Sequence, residues 1–233
     1  MEVQIAVSKV SKYAINESGD TVEVIERPHG GISVVLADGQ TSGRGAKNIS
    51  NLVVKKVISL LADGVRDGAA ARAASDYLYT LRGGKVSSTL NICSVDLVTK
   101  TIVLARNNPT PLIIVQHDEF QQYEGPSSPV GLYRNTRPNM IEIKLEVGVS
   151  IFMFSDGLIH AGSRTGEQLN ILPTIQSFLQ QQDSSCQNIA DGLLNRAVLL
   201  DQGRPVDDIS IVVVQVLNLQ GDSTRRMLVR LPI

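Results

Sequence analysis

Apolar and polar residues alternate along the first part of the chain in the way that half-buried strands require. The alternation is weak over residues 2–14 and clear over residues 21–27, whereas residues 32–37 form a β-branched run typical of a buried central strand. The turn sequence Pro28-His29-Gly30-Gly31 separates the second and third segments. The pattern therefore predicts strands ahead of the first helix.

Two helices are predicted next. Apolar residues recur at helical spacing between Ile49 and Leu61, which predicts an amphipathic helix of about 18 residues. Residues 67–81 are rich in alanine, with Asp67 as an N-cap candidate and Gly83-Gly84 as a stop signal.

The rest of the chain contains more strands than helices. Helical segments are expected near residues 169–181 and 187–200. Further strands are predicted at residues 88–97, 101–106, 112–116, 120–123, 140–145, 150–154 and 209–216. This order is not the regular alternation of a βαβ fold, so we expect an α+β fold: a β-sandwich of two antiparallel sheets flanked by pairs of helices.

We expect residues 1–216 to form a single domain, because no repeat or linker interrupts them. Residues 217–233 are predicted to be a C-terminal extension. The apolar stretch at residues 227–231 could add an edge strand or dock a partner.

Composition excludes several classes of function. The formal net charge of −1 gives no electrostatic reason to bind nucleic acid or an anionic membrane. No apolar run approaches the ~20 residues of a membrane-spanning helix, and the N-terminus does not resemble a signal peptide. The two cysteines have no metal-type spacing, so we expect a cytoplasmic protein without disulfides.

Acidic residues stand where several predicted strands begin or end. Asp38-Gly39 and Asp156-Gly157 each follow an apolar strand, Asp207-Asp208 precede the last strand, and Asp20 precedes residues 21–27. Carboxylates that converge repel one another unless a cation compensates, and oxygen ligands suit Mg²⁺ or Mn²⁺. The alternative is that each Asp-Gly is an ordinary turn and that Asp207-Asp208 is an exposed pair.

Six short motifs occur in an order that resembles a known family. They are Ala37–Gly43 with Ala46, Ser88–Leu90, Asn107–Leu112, Pro129–Leu132, Phe154–Leu158 and Val206–Ser210. Together they resemble the SpoIIE-like subgroup of the metal-dependent serine/threonine phosphatases of the protein phosphatase 2C type. The resemblance covers residues 19–216 and is closest to small, stand-alone members of the subgroup.

The resemblance implies a β-sandwich with two Mn²⁺ or Mg²⁺ ions at one end. Carried over by motif, the metal ligands would be Asp20, Asp38, the Gly39 carbonyl, Asp156 and Asp207, with Asp38 bridging and Asp20 the weakest match. Asp208 would support the site without ligating. The catalytic group would be a metal-bound water, so no side-chain nucleophile is expected.

The resemblance also suggests a substrate. It implies hydrolysis of phosphoserine or phosphothreonine in a regulatory protein, by analogy a STAS-domain anti-sigma antagonist or a stressosome component. Arg44 and Lys47, at the start of the first helix, are candidates for binding the substrate phosphate. The oligomeric state is not predicted.

Two alternatives compete with a metal-dependent phosphatase. A catalytically weak module that binds phosphoproteins would be favoured by loss of an aspartate, but Asp38, Asp156 and Asp207 are all present. A phosphatase with an aspartyl nucleophile needs Asp-x-Asp, which Asp38-Gly39-Gln40 does not supply. Gln40 stands where some relatives carry a candidate acid, His, and the three histidines of this chain are interpreted as surface residues.

Overall fold

A computed structural model describes residues 1–181 and 184–230. These residues form ten strands and five α-helices. The strands are β1 (Glu2–Val10), β2 (Asp20–Glu26), β3 (Ile32–Gly39), β4 (Ser88–Asp96), β5 (Thr101–Asn107), β6 (Leu112–Gln116), β7 (Glu119–Tyr123), β8 (Asn139–Lys144), β9 (Ser150–Phe154) and β10 (Ile209–Leu217). The helices are α1 (Gly43–Ala62), α2 (Asp67–Arg82), α3 (Asp156–His160), α4 (Ile171–Leu179) and α5 (Cys186–Leu200).

The strands form two five-stranded sheets in which every pair of neighbours is antiparallel. One sheet has the order β1-β10-β9-β6-β7 and the other has the order β2-β3-β4-β5-β8. The predicted α+β sandwich of antiparallel sheets is confirmed.

Three apolar layers hold the sandwich together. Residues such as Val34, Ile114 and Val212 lie between the two sheets. A second layer packs α3, α4 and α5 on the outer face of the first sheet, and a third packs α1 and α2 on the second sheet. Strands buried on both faces, such as β9, read as continuous apolar runs for this reason.

Sequence and structure differ most at the short elements. The helix expected near residues 169–181 spans only Ile171–Leu179. Helix α3 was not predicted, because five residues carry too little periodicity to be recognised.

The C-terminal extension forms no helix or strand over residues 218–230, and Leu231 lies outside the described residues. Arg225 joins it to the second sheet, donating to Glu26 at 3.2 Å and to the Gly30 carbonyl at 3.1 Å. The proposed docking role of this segment, and its division from residues 1–216, stay predictions.

Among the described residues, no helix is both long and apolar enough to cross a membrane.

Candidate metal centre

Asp20 and Asp38 are brought together by the pairing of β2 with β3. Asp20 is the first residue of β2, Asp38 is near the end of β3, and the two are direct partners in the antiparallel register. In an antiparallel pair, the start of one strand lies beside the end of its neighbour. The register therefore delivers both carboxylates to one edge of the second sheet.

Asp156 and Asp207 meet in the same way at the edge of the first sheet. Asp156 follows the end of β9 and Asp207 precedes the start of β10, and these strands are antiparallel neighbours with Phe154 opposite Ile211. Strand β10 also contacts β2 across the sandwich. The four aspartates therefore lie at one end of the two sheets. This proximity was expected from the motifs that contain Asp38, Asp156 and Asp207 and from the short Gly19-Asp20 match.

His160 is an exposed histidine, as expected, and it also lies beside this group. One ligand atom from each of Asp156, His160 and Asp207 lies within 4.8 Å of the others. His160 Nδ1 is 3.9 Å from Asp156 Oδ2, one helical turn away on α3. The spacing of four residues after Asp156 was the available signal, but it places the two side chains together only if the intervening residues are helical.

Asp20 is the most deeply buried member of the group. It is completely buried, and neither of its carboxylate oxygens has a hydrogen-bond partner among the described residues. Burial raises its pKa above the ordinary range, and the neighbouring Ser155, Ser210 and Lys9 offset this rise only in part. A buried carboxylate without partners is costly unless a proton or a cation satisfies it.

Asp38 is perturbed in the same direction. Burial is the largest cause, and the negative charges of Asp20 and Asp156 add to it, so its pKa is raised well above that of a free aspartate. The pKa of Asp156 is also raised, first by burial and then by Asp207. Without a cation, the cluster therefore keeps protons that exposed aspartates would lose.

These residues fit a divalent metal centre. The four carboxylates supply oxygen ligands, the orphaned Asp20 oxygens are available, and a cation would relieve the repulsion that raises the pKa of Asp38. Such an oxygen-rich set suits Mg²⁺ or Mn²⁺, with one imidazole adding a ligand that Mn²⁺ accepts.

Two glycines are required for the backbone to come this close. A Cβ on Gly39 would lie 2.0 Å from the Ala46 carbonyl oxygen of α1, and one on Gly157 would lie 2.1 Å from the Asp208 carbonyl oxygen. Only glycine fits at either place. The Asp-Gly pairs are therefore packing requirements of the site as well as turn sequences.

Two further carboxylates hold the loops of the centre and do not belong to the group itself. Asp208 accepts the backbone N–H of Lys12 at 2.9 Å and that of Gly19 at 2.8 Å, which ties the segment before β10 to the segment before Asp20. Asp201 accepts the N–H of Gly162 at 2.8 Å and that of Val206 at 3.0 Å, and it is buried. The sequence suggested a supporting role for Asp208 and missed Asp201.

Two lysines converge on the backbone of Asp20. Lys9 Nζ and Lys47 Nζ donate to the Asp20 carbonyl at 2.9 and 2.7 Å, and Lys47 also donates to Thr21 Oγ1 at 3.0 Å. Burial lowers the pKa of both amines. The structure thus places Lys47 beside Asp20 with its ammonium engaged, whereas Arg44 is exposed in the first turn of α1. Their roles in binding phosphate stay predictions.

Gln40 lies just beyond β3, with its amide oxygen held by Ser87. The Ser87 backbone N–H donates to Gln40 Oε1 at 3.0 Å, and the Gln40 N–H donates back to the Ser87 carbonyl at 3.0 Å. These bonds fix the position of Gln40, and its amide side chain has no titratable proton with which to act as a general acid.

Comparison with known proteins gives a family match. A family model described as stage II sporulation protein E (SpoIIE) matches residues 28–217. Stage II sporulation protein E of Bacillus subtilis (strain 168) is 23% identical over 199 residues, which are 85% of this chain and 24% of that protein. The same protein of Priestia megaterium is 21% identical over 214 residues, 92% of this chain and 36% of its own length. This chain therefore spans about a quarter to a third of these relatives.

Solved structures share the fold. The PP2C phosphatase domain of SpoIIE from Bacillus subtilis, solved with a fragment of its regulatory domain, superposes with a TM-score of 0.79 at 22% identity, covering 93% of this chain and 64% of that one. RsbX, solved in complex with magnesium, gives a TM-score of 0.70 at 16% identity, with 92% and 95% covered. The catalytic domain of the phosphatase PstP, solved with two manganese ions, gives a TM-score of 0.70 at 17% identity, with 93% and 99% covered.

Proposed function

Because this chain belongs to the SpoIIE family of PP2C-type phosphatase domains, we propose that it is a metal-dependent protein phosphatase that hydrolyses phosphoserine and phosphothreonine. The observation that carries the proposal is the group of four aspartates at one end of the sandwich, of which Asp20 is completely buried. Asp20 has two orphaned oxygens, and the pKa of Asp38 is raised first by burial and then by the charges of the neighbouring carboxylates.

In this proposal Asp20, Asp38, the Gly39 carbonyl, Asp156 and Asp207 hold two Mn²⁺ or Mg²⁺ ions. Two bound divalent ions would supply an activated water and positive charge for the phosphoryl oxygens. The family model begins at residue 28, so the assignment of Asp20 rests on its pairing with Asp38 and its orphaned oxygens.

In this proposal, other side chains position the loops that carry the metal ligands, and neither cysteine serves as a nucleophile. Asp208 holds the segment before Asp20, and Asp201 holds both the loop that follows α3 and the loop that carries Asp207. Both cysteine thiols are buried with raised pKa values, for Cys186 to about 12, so neither offers a thiolate nucleophile near neutral pH.

The proposed substrate is a phosphorylated regulatory protein, and by analogy a STAS-domain anti-sigma antagonist or stressosome component. The support is the similarity to RsbX and to a structure from work on the bacterial stressosome. We also propose that the chain works in the cytoplasm, where such substrates would be met.

The test is phosphate release from a phosphoserine peptide and its phosphothreonine twin in the presence of Mn²⁺. Wild-type protein should release phosphate from both, and the Asp156→Asn variant should not. The Asp118→Asn variant is the control, because Asp118 is an exposed turn residue of the β6–β7 hairpin. Binding of the peptides without any phosphate release would support the alternative of a phosphoprotein-binding module.

A further inference from the structure

Three side chains from separate segments form a basic rim beside the metal centre: Tyr13, Arg164 and Arg204. The guanidinium carbon of Arg204 lies 5.3 Å from the centroid of the Tyr13 ring. Arg164 donates a hydrogen bond to the Arg204 carbonyl. The Tyr13 N–H donates to the Pro205 carbonyl at 2.9 Å, so hydrogen bonds join all three segments.

The rim is adjacent to the proposed ligands. Arg204 precedes Asp207 by three residues and Arg164 follows His160 by four, so an extended chain could separate each pair by no more than about 15 Å. Next to Tyr13, the Lys12 N–H donates to Asp208. Asp201 holds both the loop of Arg164, through Gly162, and the loop of Arg204, through Val206.

The charges of the two rim arginines are not neutralised by a carboxylate within the described part of the protein. Neither Arg164 nor Arg204 forms an ion pair with a described carboxylate. Other arginines differ: Arg27 pairs with buried Asp67, and buried Arg106 donates to three backbone carbonyls. Both rim arginines are exposed, and Tyr13 is 53% exposed, so the rim is open to a partner.

We infer that the basic rim binds acidic residues that flank the phosphorylated residue of the protein substrate. Guanidinium groups bind carboxylates through paired hydrogen bonds, and stacking on Tyr13 fixes the plane of Arg204 in advance. The rim lies next to the metal centre, so an acidic segment bound there would place a nearby phosphoryl group at the metals. This inference rests on the proposed phosphatase function and adds a preference for the substrate sequence.

The test compares two synthetic phosphoserine peptides: one with glutamates on both sides of the phosphoserine, and a twin with glutamines in their place. Wild-type protein with Mn²⁺ should have a kcat/KM roughly 5- to 10-fold higher for the glutamate peptide, mainly through a lower KM, because two exposed charge pairs contribute about this much. High salt should reduce the preference.

The double variant Arg164→Ala/Arg204→Ala should lose the preference while keeping the wild-type rate on p-nitrophenyl phosphate, which carries no flanking residues. Arg134→Ala is the matched control, because Arg134 lies 5.3 Å from the Tyr79 ring in the same arrangement elsewhere in the chain. Equal kcat/KM values of wild-type protein for the two peptides, or a preference that survives in the double variant, would overturn the inference.

Hydrolysis of p-nitrophenyl phosphate separates this inference from the proposed function. If wild-type protein hydrolyses neither that compound nor the peptides, the phosphatase proposal fails. The role of the rim is then tested by measuring how tightly the protein binds the glutamate peptide. In a fluorescence anisotropy titration with the labelled glutamate peptide, weaker binding by the double variant than by wild type supports the rim. Equal binding by the two proteins overturns it.

Discussion

Asp20 and Asp38 are direct cross-strand partners on β2 and β3, and Asp20 is fully buried with both carboxylate oxygens unpartnered among the described residues. Two carboxylates in this position repel each other in the folded protein, while the unfolded chain keeps them apart. The pair therefore lowers the free energy of unfolding until a cation or a proton is bound. Replacing one of the two aspartates tests this directly.

Replacing Asp38 by Asn should raise the stability of the metal-free protein and lower the activity with Mn²⁺. In the metal-free protein, burial and the neighbouring carboxylates force Asp38 to take up a proton on folding. The variant removes that cost, so the metal-free protein should become more stable near neutral pH. Turnover with Mn²⁺ should fall by at least about 10²-fold, because positioned charge supplies most of the catalysis. Urea unfolding in EDTA and steady-state kinetics measure the two effects. A variant with wild-type turnover would identify Asp38 as a turn residue only.

The stability of the metal-free protein should depend on pH. Asp38 has a raised pKa in the folded state and an ordinary one of about 3.9 in the unfolded chain, so above pH ~4 the folded state holds more protons. The free energy of unfolding should therefore decrease as pH rises from about 4 toward neutrality. Urea unfolding in EDTA across this range measures the slope. An equally steep slope in the Asp38→Asn variant would contradict the assignment.

Asp201 is expected to be a positioning residue for the metal centre. The Asp201→Asn variant loses one of the two oxygens that accept the N–H groups of Gly162 and Val206, which should cost about 1–3 kcal/mol of stability. Mn²⁺ affinity, measured by calorimetry on folded protein, should also fall. Asp191→Asn is the control on α5, since Asp191 pairs with Ser8 and Gln187. Wild-type Mn²⁺ affinity in the Asp201 variant would limit this residue to a structural role.

The rate of phosphate ester hydrolysis should depend strongly on the pKa of the leaving group. Gln40 offers no acid, and general acid catalysis typically contributes about 10²–10⁴-fold. We expect log kcat/KM to fall steeply as leaving-group pKa rises across aryl and alkyl phosphates, with the same slope in the Gln40→Ala variant. A flat dependence would reveal an efficient acid, and His160, near Asp156 and Asp207, would be the first residue to replace.

The sequence predicted the sandwich, and it identified the aspartates that the structure brings together, because the relevant signals are local. Apolar runs that end in Asp-Gly, or begin after Asp207-Asp208, identify both the strands and the carboxylates at their ends. Asp20 was the weakest assignment because Gly19-Asp20 is a short motif. Its position beside Asp38 follows only from the register of β2 with β3, which the sequence of either strand does not specify.

Contacts between distant segments could not be predicted. Asp201 is an ordinary residue at the end of a helix until the fold places Gly162 and Val206 against it. Lys9 and Lys47 meet at the Asp20 carbonyl only because β1, β2 and α1 pack together. The proximity of His160 to Asp156 could not be predicted because it depends on a helix of five residues.

The central claim is that these aspartates hold the divalent metals on which phosphatase activity depends. The most direct measurement is hydrolysis of p-nitrophenyl phosphate by protein freed of metal with EDTA, followed over increasing Mn²⁺. The metal-free protein should be inactive. Added Mn²⁺ should restore full activity to the wild-type protein and none to the Asp38→Asn variant. Activity that survives exhaustive EDTA treatment would contradict the central claim.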